Sequence, residues 1–465
     1  MHGAMVYMNG HKSFLQSAIE GMISADEAVD KDNCWTTGNT PDYAIKNDFD
    51  EIIGYTIHGM QGAACAFGAG RYTNRLLVNV TDSTLTLGVR NAHSIYSGNE
   101  WVGIGDLHLT YCGTLDEATE ALDATLANMC DRARNIIDAQ QGDDELRVYP
   151  NFSKTQRDAL RELVEKVGTL TTAQEKYDMV SALGNAFEQI YDCQSNYANL
   201  VNMADAMASV CSTLQDAGTI TEAEASGAFD LISKTQAGYA DGVYSSKEAA
   251  EGGDMKYISF YPSLNSEGTM EIGDAKTLNV FAAMTSAGMS NLNAVLTNDI
   301  ETNEGFTMIS GNLGGADYKY NGTFDGQGHT LTVSIDMPDH DMTGVFGHTG
   351  NATIRNVRFT GTIVGNNNTG LVGMINGKTR FENVESNLDI TGGNNVGGFA
   401  ALATGGPQYI NNCLFSGKVT TKVNGAGGFY GWSSDNRVYA NNCLSIGEVV
   451  GEQSAYFFRV KCDGT

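Results

Sequence analysis

Positive charge is scarce in this chain: 28 Lys and Arg face 55 Asp and Glu over 465 residues, for a net charge of −27. Such a surface repels polyanions at long range, so no nucleic acid is expected among its partners. No run of eighteen apolar residues occurs, which excludes a helical membrane span, and no basic stretch leads into an apolar one at the N-terminus as a signal peptide requires. The chain opens instead with the strand-like Met1-His2-Gly3-Ala4-Met5-Val6-Tyr7-Met8-Asn9-Gly10. That start reads as the interior of a domain, and the chain as a fragment or internally started product of a longer secreted protein. Nine cysteines are present, none in a CxxC pair or in Cys/His spacing of the zinc type, so no metal knot is expected. An odd, dispersed set fits small buried apolar residues better than a disulfide framework. No Ser-His-Asp, GxSxG or Cys-His arrangement stands out either, so no catalytic residue and no cofactor is assigned.

What the chain has in abundance is glycine, 55 residues of it, and a repeat. Four copies open with Thr343-Gly344-Val345-Phe346-Gly347, Thr369-Gly370-Leu371-Val372-Gly373, Val396-Gly397-Gly398-Phe399-Ala400 and Ala426-Gly427-Gly428-Phe429-Tyr430. Each reaches a second anchor: Asn356-Val357, Asn383-Val384, Asn412-Cys413 and Asn442-Cys443. A fixed period of this length marks a unit that buries its apolar face only by stacking on its neighbour. The segments between anchors are too short and Gly-rich for a helical pair, which leaves one turn of a β-solenoid per copy, rising ~4.8 Å per coil. Phe346, Val372, Phe399 and Phe429 are then expected as one inward ladder, and Val357, Val384, Cys413 and Cys443 as another. Cys413 and Cys443 fall close enough for a disulfide, although parallel stacked side chains usually have the wrong dihedral for one.

Upstream, Phe281–Gly288 reads as a short amphipathic helix placed to cover the first exposed strand, and Asp325-Gly326 and Gln327-Gly328 supply tight corners. The stretch from Leu278 to Val460 resembles the GLUG-motif β-helix proteins found on the surfaces of gut and oral bacteria of the Bacteroidetes type. Its motif residues here are Gly370-Leu371-Val372-Gly373, with degenerate copies at Gly344, Gly397 and Gly427. The resemblance implies a right-handed parallel β-helix acting as a surface or adhesive module. The HExxH motif of the zinc peptidases that accompany some such proteins is absent.

Three domains are expected: 1–112, 113–252 and 253–465. In the first, Arg75–Thr81 and Thr84–Val89 read as a hairpin and Trp101–Tyr111 as an alternating strand. The pattern resembles the last half of a galactose-binding-like or carbohydrate-module β-sandwich. In the second the periodicity is helical. Thr114, Ser153, Thr172 and Thr221 open helices, and the third runs through Val180, Leu183, Phe187, Ile190, Cys193, Tyr197, Leu200, Ala204, Met207, Cys211 and Leu214 as a rod of ~60 Å, with Gly184 and Asn196 as possible bends. These helices are expected to form an antiparallel bundle serving as a spacer.

Function follows from what the solenoid can display. Polar and aromatic ladders on a flat face suit extended glycans, and sugar rings stack on aromatic faces. Tyr430, Trp432, Tyr439 and Trp35 are the candidate contacts. The partner is then a glycan or a host or bacterial surface ligand, and the protein a secreted or cell-surface adhesin without catalytic activity. Two rivals stand beside this reading: a polysaccharide lyase or glycoside hydrolase built on a β-helix, or an accessory module of one, and a purely structural stalk. Asp325, His329, Asp336, Asp339, His340 and Asp341 form the densest polar group, read here as solvated loops and coil corners. The apolar Ser454–Val460, with Phe457 and Phe458, is an exposed edge open to self-association.

Overall fold

The structure, a computed structural model, describes residues 107–138, 151–434 and 438–460 apart from 266–267, 303–305, 307 and 312–317. Before residue 107 it describes 4–9, 11–15, 23–24, 44–46, 52–55, 67–68, 70, 72–81, 83–91 and 104. The chain divides into two compact units, 1–201 with 236–253 and 202–235 with 254–465.

The first unit holds two small antiparallel sheets. In one, Ala4–Met8 lies between His11–Phe14 and Leu87–Asn91. In the other, Ile52–Tyr55 lies between Ile23–Ser24 and Ala44–Lys46. The expected hairpin of Arg75–Thr81 and Thr84–Val89 is not formed. Residues 75–81 have no strand pairing, and Leu87–Asn91 pairs with Ala4–Met8 instead. Asn9 holds that pairing: its Nδ2 donates to the Thr84 carbonyl and its Oδ1 accepts from the Thr86 amide, both at 2.6 Å. Leu107, Leu109 and Tyr111 lie outside any strand and are well exposed. Trp35 and Trp101 lie outside the described residues.

Helices α1 (Thr119–Asp138), α2 (Lys154–Val167), α3 (Ala173–Asp216) and α4 (Glu222–Asp241) follow, then the short α5 (Ser246–Ala250). Their starts are chemical. Thr172 Oγ1 accepts from the Glu175 amide at 3.2 Å while the Glu175 carboxylate accepts from the Thr172 amide at 2.9 Å, and Thr221 with Glu224 repeats the device. Ser153 starts α2 without a side-chain cap. The apolar residues named for the long helix α3 are all buried, and its 44 residues run without a break at Gly184 or Asn196, a rod of ~66 Å. Within the first unit Tyr197 is fully buried in this helix and donates its hydroxyl to the Tyr244 carbonyl at 2.6 Å.

The second unit contains a parallel β-solenoid of about six turns. Three faces recur per coil. The first is built by Thr269–Ile272, Asn293–Leu296, Thr323–Asp325, 353–355, 380–382, Gln408–Asn411 and Val438–Asn441. The second includes Thr330–Asp336, 357–364, 384–391, Leu414–Phe415 with 418–420, and Leu444–Ser445 with Glu448–Val450. The third includes Phe346–Thr349, 372–376, 400–404, Tyr430–Ser433 and Phe458–Val460. Strand partners in register are 24 to 31 residues apart, from Thr269 with Asn293 to Ile300 with Leu331. Between the first two strands of the first face, helix α6 (Ala275–Ser286) is capped by Asp274 and Thr277, and every residue from Leu278 to Thr285 is buried. Phe281 meets the rings of Tyr320 and Phe324 at 5.8 and 6.0 Å. A helix buried on all sides is core rather than surface.

Side-chain ladders fill the interior. Ala294, Phe324, Ile354, Phe381 and Ile410 stack on the first face, each at most 1% exposed. Val357, Val384, Cys413 and Cys443 occupy one inward column, as the period predicts. Both cysteines are free thiols that donate to carbonyls, Cys413 to Asn411 at 3.2 Å and Cys443 to Ile410 at 3.3 Å. Burial pushes the Cys413 thiol up to about 12. The other expected ladder is shifted. From Gly370 to Val372 the chain takes two steps, but from Gly397 to Ala400 it takes three, so the column in register runs Phe346, Val372, Ala400, Tyr430 and Phe458. The extra residue is a bulge. Phe399 and Phe429 still point inward but form their own stack, 4.6 Å apart at 14°, which Phe457 continues at 5.4 Å. Phe458 packs on Tyr430 and Phe429. The outermost coil nevertheless exposes Leu444, Ile446, Tyr456 and part of Phe457.

Candidate functional site

The corners of the solenoid fix which side chains look outward. Asn356, Asn383, Asn412 and Asn442 all take left-handed φ, between 52° and 56°. Asn tolerates this region because its short amide bonds locally. Their amides form one hydrogen-bonded column: Asn356 Nδ2 donates to Asp325, Asn383 to Asn356, Asn412 to Asn383 and Asn442 to Asn412, at 2.7 to 3.1 Å. Three residues before each Asn, alternation puts a side chain on the outer surface of the first face. Those positions are Thr353, Arg380, Tyr409 and Tyr439, which stand in register coil after coil.

This outer column is the best candidate site. The Tyr409 and Tyr439 rings stack 5.2 Å apart at 16°. The Arg380 guanidinium lies 4.5 Å from the Tyr409 ring centroid and the Lys378 ammonium 5.5 Å. Tyr439 is 53% exposed. Beside the tyrosines, Asn411 and Asn441 form the next outward column, also in register. The panel therefore offers a ring face, amides and two cations within three coils, ~10 Å along the axis.

The sequence candidates do not converge here. Tyr430 is completely buried, in the column of Val372 and Ala400, because the bulge shifts it inward. Its hydroxyl has no hydrogen-bond partner among the described residues, and burial holds its pKa well above the ordinary value. It cannot touch a ligand. Trp432 belongs to a strand rather than a loop and stands beside Leu402 on the third face, half-buried, away from Tyr439 on the first. Trp35 lies outside the described residues. Of the three described candidates, Tyr439 alone stands in the panel. Tyr409, Arg380 and Lys378 were missed, although the signal was present: the first two lie three residues before Asn412 and Asn383, as Tyr439 does before Asn442.

Asp325, His329 and Asp341 of the polar group are bonded within the fold. Asp325 accepts from Arg355 Nε at 2.9 Å, from Asn356 and from the Gln327 amide. Burial alone raises its pKa, but these donors outweigh it and hold the carboxyl below the ordinary value. His329 meets Asp299 at 3.3 Å, and Asp341 accepts the Asn367 amide at 3.0 Å. Among the described residues no three His, Cys, Asp or Glu side chains come together as a metal site would require, and no helix is long and apolar enough to cross a membrane. Comparison of the chain with protein-family models, curated proteins and solved structures finds no match.

Proposed function

We propose that this chain is a non-catalytic module of a secreted or surface-displayed protein, closed at its first coil by α6, that binds glycan on the outer first face of its solenoid. The observation that carries this reading is the Tyr409–Tyr439 stack on the outer first face, with the Tyr439 ring more than half exposed. An exposed aromatic normally loses contact area by standing out of the core, whereas a ring held flat by its neighbour is ready to receive a sugar ring at little entropic cost. Asn411 and Asn441 supply donors and acceptors for hydroxyls beside it. The GLUG-type repeat is consistent with such a surface role. The rival lyase or hydrolase reading needs a pair of carboxylates free to act across one bond, but Asp325 and Glu385 in these coils are matched to Arg355 and Arg358.

The test is a glycan array probed with the whole chain and with Tyr439→Ala, both checked for the same far-UV spectrum. Retention of defined glycans, lost in the variant, is the expected outcome. An array without a single hit, or one on which the variant binds as the parent does, removes the first face from consideration. Release of new reducing ends or unsaturated products from any bound polysaccharide shifts the reading to the enzyme.

A further inference from the structure

Cations in the solenoid strands are mostly matched to acids. Arg355 pairs with Asp325 at 2.9 Å, Arg358 with Glu385 at 3.4 Å and Lys418 with Glu448 at 3.1 Å. Lys378 and Arg380 are different. Their neighbour is the Tyr409 ring, and neither has a carboxylate partner among the described residues. The acid nearest in sequence, Glu382, stands in the adjacent column, in register with Arg355. Toward the last coil the panel continues with the uncharged Tyr409, Tyr439, Asn411 and Asn441, while Glu382 stands one coil before Asn411 in the same column. In a chain with 55 acidic side chains, two cations laid against an exposed tyrosine stack, with Glu382 the one acid in register beside them, are a local reversal of sign.

We infer that the ligand of this face is an acidic glycan whose carboxylate is held by Arg380 and Lys378 while a neighbouring sugar ring lies on Tyr439. The inference rests on the glycan reading above. The guanidinium fork fits a carboxylate through two parallel N–H···O bonds, and its contact with the Tyr409 ring, 4.5 Å from the centroid, restricts its motion beforehand. The overall negative charge slows the approach of such a ligand but does not decide its affinity. At physiological salt, charges more than ~8 Å away are largely screened, so the pair at the site outweighs the distant acids.

The probes are a hexuronate oligomer, the same oligomer with its carboxyl groups reduced to alcohols, and a sulfated neutral oligomer of equal length. Dissociation constants are measured by calorimetry for the full chain, Arg380→Gln, Lys378→Gln and Tyr439→Ala, with melting curves to confirm folding. The uronate is expected to bind at least tenfold tighter than the reduced oligomer and tighter than the sulfated one. Arg380→Gln is expected to bring the uronate-to-neutral ratio close to one, and Tyr439→Ala to weaken both. Equal binding of uronate and reduced oligomer overturns the carboxylate and leaves the glycan reading standing. Equal binding of uronate and sulfated oligomer overturns the choice of carboxylate over other anions. Absence of binding by all three oligomers overturns the inference together with the reading beneath it. A ratio unchanged in both Arg380→Gln and Lys378→Gln removes these residues from the site.

Discussion

Asn383 donates its side-chain amide to Asn356 one coil away at 2.9 Å while both residues hold left-handed φ, 56° and 52°. One residue type thus solves two problems at each corner: it accepts the backbone turn, and it bonds the coils to each other. The next rung, Asn412 to Asn383, repeats the contact at 3.1 Å.

The stability of the solenoid should separate these two roles. Asn383→Gly keeps the left-handed backbone accessible and loses only the two amide bonds, whereas Asn383→Ala loses both and adds the cost of a Cβ in that region, about 1 kcal/mol. Urea unfolding is expected to rank parent, Gly variant and Ala variant in that order. If Ala is the more stable of the two variants, the corner is not controlled by φ.

The interior and the outer panel should respond oppositely to removal of an aromatic ring. Phe429 is fully buried between Phe399 and Phe457, so Phe429→Ala is expected to cost about 3–5 kcal/mol. Tyr439 sits half in water at the last rung, and Tyr439→Ala is expected to lie near the ~0.5 kcal/mol typical of surface substitutions while removing ligand binding. Calorimetric melting of both variants checks this. A large loss of stability in Tyr439→Ala would make the stack a structural device.

Close packing between coils gives a third test at a single atom. Gly361 has φ of 105°, and a Cβ there would run into the Val333 carbonyl oxygen of the preceding coil. Because the obstacle is backbone, it cannot swing aside. Gly361→Ala is therefore expected to destabilise by more than 2 kcal/mol, on the order of the largest single-residue effects, or to yield little soluble protein. Normal expression and an unchanged melting temperature would show that these coils separate more easily than their register implies.

The parts legible in the sequence were those set by period and polarity. The Asn anchors fixed the inward column of Val357, Val384, Cys413 and Cys443, and threes and fours fixed the buried face of α3. The Phe346 ladder was misread because a bulge changes the count locally, and nothing in Gly397-Gly398-Phe399 says which glycine is the extra one. Tyr430 was consequently placed at the surface. The strand expected at Trp101–Tyr111 rested on alternation alone, and alternation cannot say whether a second layer exists to cover it. The Arg380, Tyr409 and Tyr439 column is a product of register, legible only after the Asn corners are taken as the ruler.

Acid should strip the helix starts selectively. Amide and hydroxyl donors from Thr172 and Thr171 lower the Glu175 carboxyl from the ordinary 4.5 to about 2. Those of Thr221, with help from Lys276, do the same for Glu224. A carboxylate whose folded pKa is depressed stabilises the native state at pH above its unfolded value and loses that contribution as pH falls through the folded one. The difference in stability between the parent and Glu175→Gln is therefore expected to be constant from pH 7 down to about 4.5, to shrink between about 4.5 and 2, and to vanish below. Glu224→Gln should follow the same window. Urea midpoints for the three proteins at pH 6, 4, 3 and 2 measure the difference directly, and comparing variants with parent cancels the change in repulsion among the remaining acids. A gap that stays constant down to pH 2 would mean that these capping bonds are as well made by a neutral amide, and that their charge contributes nothing to where α3 and α4 begin.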